Sequence, residues 1–372
     1  MAGRRSGLIE SAIAFLPLIA IVGCLAILSI GPRLQPATPR ASLAQVRAPT
    51  TDIVLTRIAL GACFVHSRPA PIWSAILAAE PDLMVTLGDN VYGDAKSGTT
   101  RELEAAYDQL AAHPDFAPAR NNLSFLATWD DHDCGLNDGG ANFALRVQSE
   151  RLFRKFWGVP EGPPEGSGIY RSVMIGPKGK RVQFLLLDTR SFRTPLTRKP
   201  KNSEIWGRYV PSRDPAQSML GEAQWQWLER ELKRPADLRI LVSSIQVLAE
   251  GHGWERWANL PREQKRLLDL LDGLAEDVVI VSGDRHFGAS YRRNVDGGAM
   301  LAEVTSSSLN RAFRPKDAPG PFRVGEPFGA ENFGTIEIDW QARTARIGLR
   351  DVNGDQVATE LIVSLARPAT TR

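Results

Sequence analysis

Four carboxylates and a histidine fall within nine positions of the stretch LATWDDHDCGLND: Asp130, Asp131, His132, Asp133 and Asp138. Like charges this close repel, and a folding chain gains nothing by collecting them after an apolar run. Cations between them would relieve the repulsion. Comparable clusters stand at other turns. GAC carries Cys63, GDNVYGD carries Asp89 and Tyr92, and SGDRHFG carries Asp284 and His286. Thiolate and imidazole suit softer transition metals, whereas carboxylate and amide oxygens suit calcium, magnesium or manganese. This mixture of donors points to two unlike metals sharing a bridging carboxylate. Two cations a few ångströms apart activate a hydroxide and clamp the oxygens of a phosphoryl group, the usual chemistry of phosphate ester cleavage.

Each piece also has a plain structural reading. Cys63 at a strand end suits a small core residue. GDNVYGD suits an Asx turn, and DDH a helix cap. His66 and His113 lie near prolines in polar surroundings and are expected on the surface. Repetition favours the metal reading, because four strand-to-turn junctions in chain order all carry ligand-type residues.

The elements that must position these turns read as alternating strands and helices. Strands are expected in DIVLTRIALGACF, ending at Cys63, in DLMVTLGDNVYGD and LSFLATWDDHD ahead of their acidic turns, in RVQFLLLDTR, ending in Asp188 and Arg190, in LRILVSSIQ, and in DVVIVSGDRHFG ahead of its histidine-bearing turn. Amphipathic helices are expected between them, in PIWSAILAAE, RELEAAYDQLAAH, ANFALRVQSERLFRKFWG, LGEAQWQWLERELKR and PREQKRLLDLLDGLAE. Short alternating strands close the chain, in GTIEIDW, TARIGLRDV and VATELIVSL. Strands this apolar are buried on both faces and need covering helices. In such α/β folds ligands gather at the carboxyl ends of the strands, so the turns at Cys63, Asp89, Asp131, Asp188 and Asp284 should meet at one edge.

The 372 residues carry a net charge of +3, which argues for neither nucleic acid nor a polybasic membrane surface. Three cysteines make no disulfide framework. Residues 1–31 form a separate segment, with a basic flank, MAGRRSG, before the uncharged run Ser11–Ile30. At about 1.5 Å per residue that run spans roughly the 30 Å core of a bilayer. It reads as an uncleaved anchor with the rest of the chain exported, or as a signal segment. Residues 32–51 are rich in proline and small residues and read as a flexible linker. The folded domain is expected over residues 52–366.

At its junctions the sequence resembles the PhoD-like alkaline phosphatases, a branch of the calcineurin-like metallophosphoesterases. GAC, PDLMVTLGDNVYGD, ATWDDHDCGLND, LLLDTR, LGEAQWQWLERELK, SSIQ and VSGDRHFG are similar to that family's blocks, in its order, over about Ile53 to Tyr291. The resemblance implies a four-layer α-β-β-α core with two packed mixed sheets. It implies hydrolysis of phosphate mono- or diesters, with Fe3+ and Ca2+ as the metals and Mn2+, Zn2+ or Mg2+ as alternatives. Carried onto this chain, Cys63, Asp89, Tyr92 and His286 would hold the iron-type site, with Asp89 bridging. Asp131 and Asp284 would hold the second ion, with Asn137 as a further ligand. His132 would be unliganded and catalytic, and Arg190 and Arg285 would neutralise phosphate, although either arginine also has a structural reading. The block WDDHDCGLND departs from the family's usual third block, and Cys134 has no assigned role. Against that resemblance, the linker is expected to lead straight into the core without the family's accessory N-terminal domain, which leaves substrate preference and secretion route open. A phospholipase D-like or nucleotide phosphodiesterase is the alternative. GHGWERWANLP, with Trp254 and Trp257, would supply an aromatic rim for such a substrate or else pack in the core. A non-enzymatic metal-binding surface protein is a third reading.

Overall fold

A computed structural model describes residues 46–160, 167–315 and 320–366. The N-terminal apolar run, and with it the anchor or signal reading, lies outside the described residues. Among the described residues no helix is long and apolar enough to cross a membrane.

The chain runs β1 (Arg57–Gly61), α1 (Ile72–Ala78), β2 (Leu83–Leu87), α2 (Arg101–Ala112), α3 (Phe116–Asn122), β3 (Phe125–Thr128), α4 (Asp131–Cys134) and α5 (Arg146–Trp157). It continues through β4 (Arg171–Ile175), β5 (Val182–Leu186), α6 (Gly221–Glu231), β6 (Leu238–Val242), α7 (Pro261–Asp272), β7 (Val278–Ser282), β8 (Gly288–Asn294) and β9 (Met300–Ser306). It ends in β10 (Arg323–Phe328), β11 (Phe333–Asp339), β12 (Thr344–Arg350) and β13 (Leu361–Ser364).

These strands make two mixed sheets. One has the order β13-β12-β11-β1-β2-β3, and the other β10-β8-β9-β7-β6-β5-β4. The neighbours β1, β2 and β3 run parallel, as do β5, β6, β7 and β9. Alternation along each strand builds the layers. In β1, Ile58 and Leu60 join a core shared with Phe184 and Leu186 of β5, while Ala59 between them joins the cluster under α1, α2, α3 and α5. In the second sheet Leu185 and Leu187 face away from that shared core and pack with Trp225 of α6 and Leu267 of α7. The result is helix, sheet, sheet, helix, in agreement with the expected layering.

The parallel strands of both sheets deliver their carboxyl ends to one edge, where the sheets are tied together. Thr128 Oγ1 donates to the Leu187 carbonyl at 2.9 Å, and Ser306 Oγ donates to that of Leu60 at 3.1 Å. The fit is tight enough to require glycine. A Cβ on Gly283 would come within 2.8 Å of the Ala62 Cβ and 3.0 Å of the Leu87 carbonyl oxygen.

The folded domain begins earlier than residue 52. Val46 is buried and its amide donates to the Phe156 carbonyl at 3.3 Å, while the Arg47 carbonyl accepts the Phe125 amide at 2.8 Å. Proline and small residues hid this short edge pairing.

Candidate active site

At the Cys63, Asp89 and Asp284 junctions the strand end is followed by a backbone turn that ordinary residues avoid. Cys63, Asp89, Asp138, Asp284 and His286 all have positive φ, between 51° and 66°. A left-handed conformation in a non-glycine residue costs about 1–3 kcal/mol. Five instances in one place are maintained by the surrounding fold, and such strain concentrates at functional sites.

The donors converge in overlapping groups. Ligand atoms of Cys63, Asp89 and His286 lie within 4.8 Å of one another, as do those of Asp89, Asp131 and His132, and those of Asp131, Asp138 and Glu255. Asp89 belongs to two groups and uses its two oxygens separately. Oδ2 accepts the Tyr92 hydroxyl at 3.0 Å and the Cys63 thiol at 3.6 Å, and Oδ1 accepts the His132 amide at 3.4 Å. That is the disposition of a bridging carboxylate. Asp284 stands outside these three groups, with its Oδ2 3.7 Å from Arg285 Nη1. Asn137 is exposed on the lining of the adjacent cavity.

Electrostatics show what the cluster lacks. Burial, then Asp131, pushes Asp89 well above the usual carboxylate range. Burial and Asp89 likewise push up the Cys63 thiol and the Tyr92 phenol. Burial and the nearby Arg311 and Arg285 pull His286 down to about 3, so its imidazole is neutral and free to donate a lone pair. The buried atoms His286 Nδ1 and Asp284 Oδ2 have no hydrogen-bond partner. Bound cations reverse this logic, favouring thiolate, phenolate and carboxylate. The donor set therefore fits metal ions. The thiol and the His286 imidazole sit on the Cys63 side, and the carboxylates of Asp89, Asp138 and Glu255, with the His132 ring, sit around Asp131.

The DDHD stretch divides its labour. The Asp130 carboxylate takes Arg190 Nε and Ser244 Oγ, each at 2.6 Å. Asp131 joins the donor groups, and its Oδ2 accepts the Asp138 amide at 2.6 Å. Burial opposes its ionisation, but His132 and Arg190 hold it below the usual carboxylate range. Asp133 ties down the tip of β2, accepting the Asn90 amide at 3.1 Å and that of Asp130 at 3.0 Å. His132 sits against the Tyr92 ring, centroids 4.3 Å apart, and its Nδ1 is 2.7 Å from Asp94 Oδ1. Burial favours the neutral ring, yet Asp131, Asp89 and Asp94 together push it up to about 10.

Arg190 does not line the cavity. It is fully buried, held by Asp130 and, at 2.8 Å, by Glu255, which also takes Arg193 at 3.0 Å. The phosphate role gives way to the structural reading, because Asp130 and Glu255 already engage the N–H edges of this guanidinium. Arg285 does line the cavity, packed over the rings of Trp206, Trp254 and Phe287. The aromatic rim is divided as well. Trp254 lines the cavity, but Trp257 is fully buried and donates to Ser243 Oγ at 3.0 Å. Asp188 stays out of the donor groups, since it accepts Trp129 Nε1 and the amides of Arg190 and Ser191. Cys134 packs in the apolar cluster under the helices. His113, expected on the surface, is buried against Phe64, with Nε2 donating to the Arg68 carbonyl at 2.8 Å. His66 is half-buried and accepts the Tyr92 amide at 3.2 Å.

Sequence reasoning missed Asp94, Glu255, Ser307 and Trp206. Asp94 is the last residue of GDNVYGD, and its regular turn spacing was a usable signal. Glu255 sits between two tryptophans that drew attention as aromatics. Ser307 comes directly after a strand that the sequence did not reveal.

Comparison with known proteins agrees with this geometry. A family model described as PhoD-like phosphatase matches residues 62–323. Alkaline phosphatase D of Bacillus subtilis (strain 168) is 24% identical over 274 residues, which cover 61% of this chain and 44% of that protein. The chain thus spans less than half the length of this relative. A solved structure of PhoD superposes with a TM-score of 0.66 at 17% identity, covering 87% of this chain and 74% of the other. A purple acid phosphatase from yellow lupin (Lupinus luteus) seeds gives 0.55 at 12% identity, covering 86% and 55%. The Plasmodium protein GAP50, described as the anchor in the inner membrane complex, also gives 0.55, at 14% identity, covering 86% and 91%.

Proposed function

The chain belongs to the PhoD-like phosphatase family, and from that premise we propose that it is a metal-dependent phosphoesterase hydrolysing phosphate mono- or diesters. The observation that carries this reading is the convergence of thiol, phenol, imidazole and carboxylate donors on both sides of Asp89. A shared fold alone would not suffice, since the same architecture occurs in a protein described as an anchor. Cys63, Tyr92, His286 and Asp89 would hold the softer ion, for which iron fits. Asp89, Asp131 and the oxygen donors around them would hold the harder one, for which calcium fits. Bound there, the cations supply charge to offset the phosphoryl oxygens and lower the pKa of water.

The chain's own residues supply proton control and orientation. Asp94 accepts the Nδ1 proton of His132, which fixes the ring and leaves Nε2 to carry a second proton. That proton passes to the departing alkoxide. Arg285, held by three aromatic rings, adds positive charge to the cavity wall, and Trp206 and Trp254 limit the access of water. The uncharged run Ser11–Ile30 supports a site held at, or exported across, a membrane. It also keeps a phospholipase D-like or nucleotide diester substrate in play.

Metal content and ester turnover of the purified protein test the proposal together. Activity on nitrophenyl, alkyl, nucleotide and phosphatidylcholine esters should vanish with chelator and return with metal. Protein that holds its metals yet cleaves no member of this panel would refute the enzymatic reading.

A further inference from the structure

The cavity beside the donor groups, about 250 Å3 in volume, is lined by Arg208, Arg285, Arg311 and Arg314. Two of these face carboxylates and a third is exposed. Arg208 is tied to Asp138 Oδ2 at 2.8 Å, Arg285 lies beside Asp284, and Arg314 is exposed at the rim. Arg311 is half-buried and makes no hydrogen bond or ion pair among the described residues. Its guanidinium lies 4.3 Å from the Tyr92 ring centroid and 6.0 Å from that of Phe313. An aromatic face holds an arginine by its π surface and leaves the N–H edge free for planar, charge-assisted bonds.

The backbone around Arg311 is fastened on both sides. The Asn310 side chain accepts the Val65 amide at 2.7 Å and donates to the Val65 carbonyl at 3.1 Å. The Phe313 amide donates to the His286 carbonyl at 2.8 Å. Arg311 is thereby tethered to the two turns that carry Cys63 and His286. A cation held this firmly, in a cavity, with no carboxylate partner among the described residues, is preorganised for a ligand's anion.

We infer that Arg311 binds a phosphoryl oxygen and tips this cavity toward phosphate monoesters, an inference that rests on the phosphoesterase reading for its chemistry. A fully ionised monoester carries two negative charges and three non-ester oxygens, whereas a diester carries one charge and two such oxygens. An uncommitted arginine gives most to the ligand with the surplus oxygen and charge. Phe313, more than half exposed beside the His286 ring, covers the arginine at the cavity mouth.

The test compares the metal-loaded full-length chain with Arg311→Ala and Arg311→Gln. Binding of inorganic phosphate and of dimethyl phosphate is measured calorimetrically, and turnover is measured on nitrophenyl phosphate and bis(nitrophenyl) phosphate. Both variants should unfold close to the wild-type midpoint, because among the described residues the side chain gives up only its ring contacts with Tyr92 and Phe313. Phosphate binding, and kcat/KM for the monoester, should fall about ten- to hundredfold, the range expected for losing a hydrogen bond to a charged group. The diester arms should fall threefold at most. Equal losses on both ester classes, unchanged phosphate binding in the variants, or no phosphate binding by the wild type would each overturn the assignment. Wild-type protein that binds phosphate through Arg311 but turns over neither ester would remove the hydrolase reading and leave the anion site standing.

Discussion

The hydroxyl of Ser307 lies 3.2 Å from the sulfur of Cys63, joining residues 244 positions apart where the two sheets meet. The same oxygen accepts the His286 amide at 2.8 Å. Ser307 thus aligns a thiol and an imidazole that belong to one donor group, although its own side chain is not in that group.

Ser307→Ala should loosen that group without removing any donor. The His286 amide would lose its acceptor in a partly buried setting, at a stability cost of about 1–3 kcal/mol. Loss of an outer partner to metal-binding side chains typically weakens metal affinity about 10- to 100-fold. Chelator competition reads the second effect directly. Undiminished affinity in a folded Ser307→Ala protein would show that Cys63 and His286 orient themselves.

Much of this site was legible in the sequence, because its donors follow apolar strands in a strict order. The parallel strands β1, β2, β3, β5, β6 and β7 are short apolar runs, and their turns carry unusual residue types. The second sheet's outer half was not legible. Strand β8, GASYRRN, is small and polar, and β9, MLAEVTS, has a glutamate at its centre. Glu303 is nevertheless buried, accepting Ser282 Oγ at 2.7 Å and the amides of Val247 at 2.9 Å and Leu248 at 2.6 Å. Partners so distant in the chain leave no local periodicity to read. With β9 hidden, Ser307 and Arg311 just beyond its end were hidden too. Arg190 misled for the opposite reason. Its position after LLLDTR matched a strand tip, but the sequence did not show that Asp130 and Glu255 close around it.

Those two carboxylates give Arg190 a measurable role in the fold. Removing one partner from a buried charge network costs about 3–5 kcal/mol, because the remaining charges stay desolvated. Arg190→Met should therefore lower unfolding stability by that order in a denaturant titration. Glu255→Gln should cost less, since Arg190 retains Asp130. A stable Arg190→Met protein with weakened phosphate binding would return the arginine to the substrate.

His132 and Asp94 allow a separation of chemistry from ligation, since His132 Nδ1 is engaged by Asp94 at 2.7 Å while its ring atoms also lie near Asp89 and Asp131. If the ring is the proton donor, His132→Ala should retain both metals by elemental analysis and fold normally. Turnover should fall about 10²- to 10⁴-fold on alkyl phosphates, the usual contribution of a positioned acid. The loss should shrink on nitrophenyl phosphate, whose leaving group departs without a proton. Asp94→Asn should reproduce the same leaving-group contrast more weakly, because the amide still reaches Nδ1 but no longer offers a negative charge to the imidazolium. A purely structural Asp94 would instead lower both substrates alike. Loss of metal from His132→Ala would place the ring among the ligands and leave the departing alkoxide to be protonated by another group.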